Sequence, residues 1–98
     1  MNDPSTLETQ RRLSPLKPQA PVRMVTTAEI ECWIIDAISH APSETRYSCT
    51  CTLCGHSCFQ EPFVSIRYRP VDNGGAISTA ERTMRCCIPC AKDYVKVD

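Results

Sequence analysis

The clearest alternation of apolar and polar side chains lies between Phe63 and Arg69. Val64, Ile66 and Tyr68 fall on one side, and Ser65, Arg67 and Arg69 on the other, which predicts a half-buried strand. Pro70 ends it, and Asp72-Asn73-Gly74-Gly75 supplies a turn. Ile77 and the run Thr83-Met84-Arg85-Cys86 then read as a returning strand. Residues 46–50, with Tyr, Cys and Thr, predict a further short strand, and 91–96 predict one or two helical turns.

A different period governs residues 25–41. Ile30, Trp33, Ile34, Ala37, Ile38 and Ala41 share one side of a helical wheel, and Ile35 extends the stripe. Thr26 and Glu29 are spaced as a capping box, with Val25 and Ile30 at the two places of a hydrophobic staple. Pro42 sets the end, because the residue before a proline avoids helical angles. The spacing predicts an amphipathic helix over 25–41. Its apolar arc is wider than the ~100° that one packing surface needs. The surplus face (Trp33, Ile34, Ile35 and Ile38) is a candidate surface for a partner or for a second copy of the chain. The plainer alternative is that the whole helix packs on the domain that follows it.

Residues 1–24 carry Pro4, Pro15, Pro18 and Pro21 among polar residues, with neither period. This composition predicts a disordered or extended arm. The expected organisation is an arm over 1–24, a helix over 25–41 and a cysteine-rich unit over 42–98.

The chain has 98 residues, enough for one domain and a tail, and its 11 Lys+Arg balance 11 Asp+Glu. A neutral chain argues against a mainly electrostatic nucleic-acid binder, which is usually markedly basic. No apolar run approaches the ~18 residues of a membrane helix, and the first residues lack the apolar core of a signal peptide. A cytoplasmic, reducing location is expected, with no membrane partner. In such a compartment a chain with eight cysteines is expected to use them for metal ligation rather than as a disulfide framework.

Cys51-Thr52-Leu53-Cys54 and Cys87-Ile88-Pro89-Cys90 are two paired-thiol turns, each able to give two thiolates to one ion. Together they predict a four-thiolate site for one zinc per chain, with Gly55 placed where a tight turn needs positive φ. Cys49, His56, Cys58 and Cys86 are the alternative ligands, able to replace a member of the four or to build a second site. Cys86 is the nearest rival of Cys87, because neighbours on a strand point to opposite sides. Cys32 reads as an inert buried thiol, and His40 as a residue near the end of the helix. With so small a core, folding is expected to depend on the metal.

The order of turn, β-hairpin and second turn over residues 47–96 resembles the zinc-ribbon and treble-clef zinc-knuckle families. The resemblance implies a small α+β zinc-stabilised domain with a short C-terminal helix. One departure stands out: 32 residues separate Cys54 from Cys87, against the ~15–20 of the common pattern, so the hairpin is long or carries an insertion.

Enzyme chemistry is not expected. Zinc hydrolases keep a coordination position open for water and favour histidine ligands. A zinc deaminase needs a His-x-Glu, and the chain has none. The site reads as closed and structural, which leaves surface presentation as the function. A protein-binding regulator or inhibitor of a larger protein is expected, similar to the small metal-stapled proteins that phages and mobile elements direct at host machinery. The alternative is nucleic-acid binding through Arg67, Arg69 and Arg85, since residues 46–98 hold seven Lys+Arg against five Asp+Glu, a net of +2.

Overall fold

Four isoleucines and a tryptophan lie within the nine residues Ile30–Ile38. β-Branched and aromatic side chains pack well on a pleated surface and lose rotamer freedom in a helix. The computed structural model describes residues 10–24, 29–41 and 50–97. Its strands are β1 (Gln10–Leu13), β2 (Val22–Met24), β3 (Ile30–His40), β4 (Phe63–Pro70) and β5 (Arg82–Cys87), followed by one short helix, α1 (Ile88–Ala91).

The helix expected over 25–41 is corrected by this arrangement. Residues 30–40 are the central strand, Ile30 being its first residue, and Val25 and Thr26 of the expected staple and cap lie outside the described residues. The architecture is an antiparallel β-sheet rather than an α+β unit, and α1 is the one helix among the described residues. The C-terminal helix expected over 91–96 instead occupies 88–91, with Pro89 in its first turn, where a missing N–H costs nothing.

The sheet has the order β1-β3-β4-β5, with β2 also paired to β3. β4 covers one edge of β3, while β1 and β2 lie end to end along the other, both antiparallel to it. Residues 10–13 and 22–24 of the expected arm are thus built into the sheet. One sheet also joins the expected helix segment to the cysteine-rich unit, so these do not form separate layers. Between β1 and β2 the chain swings out to meet the C-terminal segment. Pro15 bridges Val95, Leu16 N–H donates to the Tyr94 carbonyl (2.9 Å), and Lys96 N–H donates to the Ser14 carbonyl (2.8 Å).

A β-bulge explains the misleading period. Ile34 faces Tyr68 and Asp36 faces Arg67, leaving Ile35 as the extra residue on β3. A bulge shifts the two-residue alternation by one. Cys32 and Ile34 face the core before it, and Ala37 faces the core after it. That three-residue step, with Trp33, Ile35 and Ile38 on or near the other side, imitates a helical stripe.

The core face carries Leu13, Met24, Ile34, Ile66 and Met84, all buried, together with Cys32 and Cys86. The loop bearing Cys51 and Cys58, then Ala91 and Val95, pack over it as a second layer. Seven of the fifteen core residues are cysteine or alanine. Burial contributes in proportion to the apolar area removed from water, so this core stabilises the sheet weakly for its size. A cross-link between the layers therefore matters.

Both the strand expected at 63–69 and the turn after it are present. Asp72 Oδ1 accepts the N–H groups of Gly74 and Ala76, each at 2.9 Å, and Gly75 has φ +84°. β5 pairs back along β4 from Phe63↔Cys87 to Tyr68↔Arg82. Of the strand expected over 46–50, residues 46–49 lie outside the described residues, and Thr50 forms an isolated bridge with Ser57.

Candidate metal centre

The first paired-thiol turn is closed by the Thr50↔Ser57 bridge. Within it, Cys51 N–H donates to the His56 carbonyl (2.8 Å), and Gly55 N–H donates back to the Cys51 carbonyl (2.9 Å). Gly55 has φ +80°, the left-handed region that a side chain disfavours. Thr52 N–H donates to the Arg85 carbonyl (2.9 Å), which fixes this turn beside the end of β5. There Cys87 is the last strand residue, and α1 brings Cys90 round to the same point.

The sulfurs of Cys51, Cys54, Cys87 and Cys90 all lie within 4.8 Å of one another, and those of Cys54 and Cys87 are 3.6 Å apart. These are the four residues that the spacing singled out, and together they could hold a metal ion. Cys51 is buried and Cys54 is exposed, so the cluster runs from the core to the surface. Burial works to raise the Cys51 thiol, but main-chain hydrogen bonds from Cys87, Cys54 and Leu53 outweigh it and bring the thiol down to about 6. A sulfur poised as thiolate by main-chain amides is suited to ligation. Cys87 and Cys90 are pushed up, first by burial, and crowding by neighbouring thiols adds to the effect at Cys90.

The alternative ligands are not members of this four-sulfur group, although the Cys86 thiol lies against that of Cys51. Cys86 pairs with Val64 and points into the core, fully buried, while Cys87 turns to the other side. Burial pushes the Cys86 thiol up to about 12. Cys58 is also fully buried, with its sulfur 3.8 Å from the His56 carbonyl oxygen. His56 Nε2–H donates to Glu61 Oε2 at 2.7 Å. Cys49 lies outside the described residues. Among the described residues the four-cysteine group is the one cluster that could hold a metal ion. Cys32 sits in the sheet core, its thiol raised by burial to about 11.

The surface expected from Trp33, Ile34, Ile35 and Ile38 does not exist as one face. Ile34 is 3 % exposed in the core, whereas Trp33 and Ile38 lie on the opposite, open face of the sheet. Arg67, Arg69 and Arg85 share that open face, but carboxylates meet two of them. Arg67 pairs with Asp36 and, at 3.3 Å, with Glu81, and Arg69 reaches Glu81 at 4.0 Å. Arg12 also reaches Asp36 at 3.6 Å, and Arg23 lies 3.8 Å from both Glu29 and Glu31. Arg85 is exposed and has no ion pair among the described residues. A helix over 25–41 gives no register between Asp36 and Arg67, so the sequence alone does not show this neutralisation.

Nor does the sequence show a cleft of about 430 Å³ beside the cysteines, lined by Cys54, His56, Glu61 and Pro62 on one side and by Cys87, Ile88, Pro89 and Cys90 on the other. The chain matches no family model, and comparison with curated proteins and with solved structures finds none similar. No helix among the described residues is long and apolar enough to cross a membrane.

Proposed function

We propose that the chain is a zinc-stapled interaction module that regulates or inhibits a larger protein. The observation that carries this reading is the four-sulfur cluster itself. A tetrahedral ion with Zn–S bonds of about 2.3 Å needs sulfurs about 3.8 Å apart, and the Cys54–Cys87 separation of 3.6 Å is close to that edge. Four thiolates complete the coordination of zinc and leave no position for a reacting water, so the ion is structural. Its role is to hold the loop bearing Cys51 and Cys54 against the end of β5, and the function is exercised by the surface so fixed. The treble-clef or ribbon likeness is part of the same reading, with the two turns at one end of a larger sheet.

The pairing of the open-face arginines favours a protein partner over nucleic acid. A duplex is bound largely by cations free to replace its counterions, and Arg67 and Arg69 are held by Asp36 and Glu81. Native mass spectrometry tests the ion: one zinc per chain, lost to a chelator, is expected, and iron or no metal overturns the zinc assignment. Affinity capture with the zinc-loaded chain tests the partner. A stoichiometric protein retained after nuclease treatment supports the module, and material that disappears with nuclease overturns it.

A further inference from the structure

The cleft beside the cysteines has the size of a ligand site, about 430 Å³ within the ~300–1,000 Å³ of such sites. Its walls are of two kinds. Pro62, Ile88 and Pro89 supply rigid apolar surface, while Cys54, Cys90 and Glu61 supply sulfur and carboxylate. None of the lining residues is a lysine or an arginine.

Charge then decides what fits. Four thiolates around one divalent ion leave a formal charge of two minus, and exposed Cys54 brings part of it to the cleft. Glu61 adds a carboxylate at the mouth, fixed by its 2.7 Å contact with His56. A phosphate or an acidic chain entering here would meet like charge, which opposes binding. A cation beside apolar surface would be attracted, and its N–H groups could donate to the thiolate sulfurs.

We infer that this cleft docks a peptide segment of the partner in which a lysine or arginine adjoins a bulky aliphatic residue. The inference rests on the reading of the chain as a zinc-stapled interaction module, and it specifies where and by what chemistry that module binds. The aliphatic side chain packs between Pro62 and Ile88–Pro89, and the cation sits between Glu61 and the Cys54 and Cys90 sulfurs.

The test is a two-dimensional amide NMR titration of the zinc-loaded chain with three capped hexapeptides. One carries Lys-Leu, one Glu-Leu and one Lys-Ser at its centre. The Lys-Leu peptide is expected to shift the amides of His56, Glu61, Ile88 and Cys90, and to bind at least about tenfold tighter than the other two. Glu61→Lys is expected to abolish that preference while the chain still carries one zinc. Equal binding of the Glu-Leu peptide, shifts confined to the open sheet face, or no shift at millimolar peptide each overturns the inference. So does occupation of the cleft by a second copy, read as concentration-dependent shifts without peptide. A captured protein partner whose binding is indifferent to Glu61→Lys would sink the cleft alone. Absence of any protein partner would sink the module as well.

Discussion

Arg67 on β4 grips Asp36 on β3 with both ends of its guanidinium, Nε donating to Oδ1 at 3.0 Å and Nη2 to Oδ2 at 2.8 Å. Such two-pronged pairing fixes geometry as well as charge. It comes about because the bulge at Ile35 turns Asp36 to the open face opposite Arg67. In a regular strand that kept Ile35, the carboxylate would point at the core.

Removing this carboxylate takes the Asp36 pair from Arg12 and leaves Arg67 with Glu81 alone. Asp36→Asn is therefore expected to raise non-specific affinity for duplex DNA above that of the parent. Fluorescence anisotropy over a salt series would read it as a slope of log affinity against log salt steeper by about 0.9 for each new phosphate contact. An unchanged slope would mean that the pairing does not restrain these side chains.

The bulge makes a prediction about chain length. Deleting Ile35 leaves Cys32, Ile34 and Ala37 in regular alternation, all still facing the core. The deletion is expected to fold, with a cost near 1 kcal/mol, or about 4–8 °C in Tm for a chain of this size. Deleting Trp33 instead turns Glu31 inward and Cys32 outward, and is expected to abolish the cooperative thermal transition. If both deletions melt alike, the core face is wrongly assigned.

Metal content should separate the sulfurs. Cys51→Ser, Cys54→Ser, Cys87→Ser and Cys90→Ser are each expected to lose stoichiometric zinc and the protection of amides in 51–58 and 88–95 from hydrogen exchange. Cys58→Ala and Cys86→Ala are expected to keep one zinc while losing about 1–3 kcal/mol, because each shrinks a fully buried side chain. Elemental analysis with urea unfolding checks both halves of this statement.

Alkaline pH should weaken the fold through Cys32. Its thiol is raised by burial from the ordinary 9.0 to about 11, so the folded chain holds this proton more tightly than the unfolded chain. That contribution is complete below pH 9 and is lost as pH rises through 11. The urea midpoint of the parent is expected to fall more steeply over this window than that of Cys32→Ala. Parallel curves would show that Cys32 ionises as freely in the folded chain as in the unfolded one.

The four cysteines and β4 were legible in the sequence because each is a local pattern. A pair of thiols two residues apart and a simple alternation both survive without knowledge of what lies opposite. β3 was not legible as a strand by period, since the bulge at Ile35 merged two short alternations into a false helical step, although its isoleucines already favoured an extended backbone. β1 and β2 were illegible for another reason. They are four and three residues long, and their extended shape is imposed by the edge of β3 rather than by their own side chains. The cleft and the Asp36–Arg67 pair depend on strand register, which no local window contains.

Pro15 and Val95 meet although eighty positions separate them, and Val95 is wholly shielded from solvent. Closing so large a loop costs entropy before the contact repays it. The sheet acquires this part of its cover only when residue 95 returns to residue 15, a long-range contact of the kind that slows folding. Until that loop closes the half-covered sheet is open to aggregation, and an ion held by Cys51, Cys54, Cys87 and Cys90 would bring the final segment within reach.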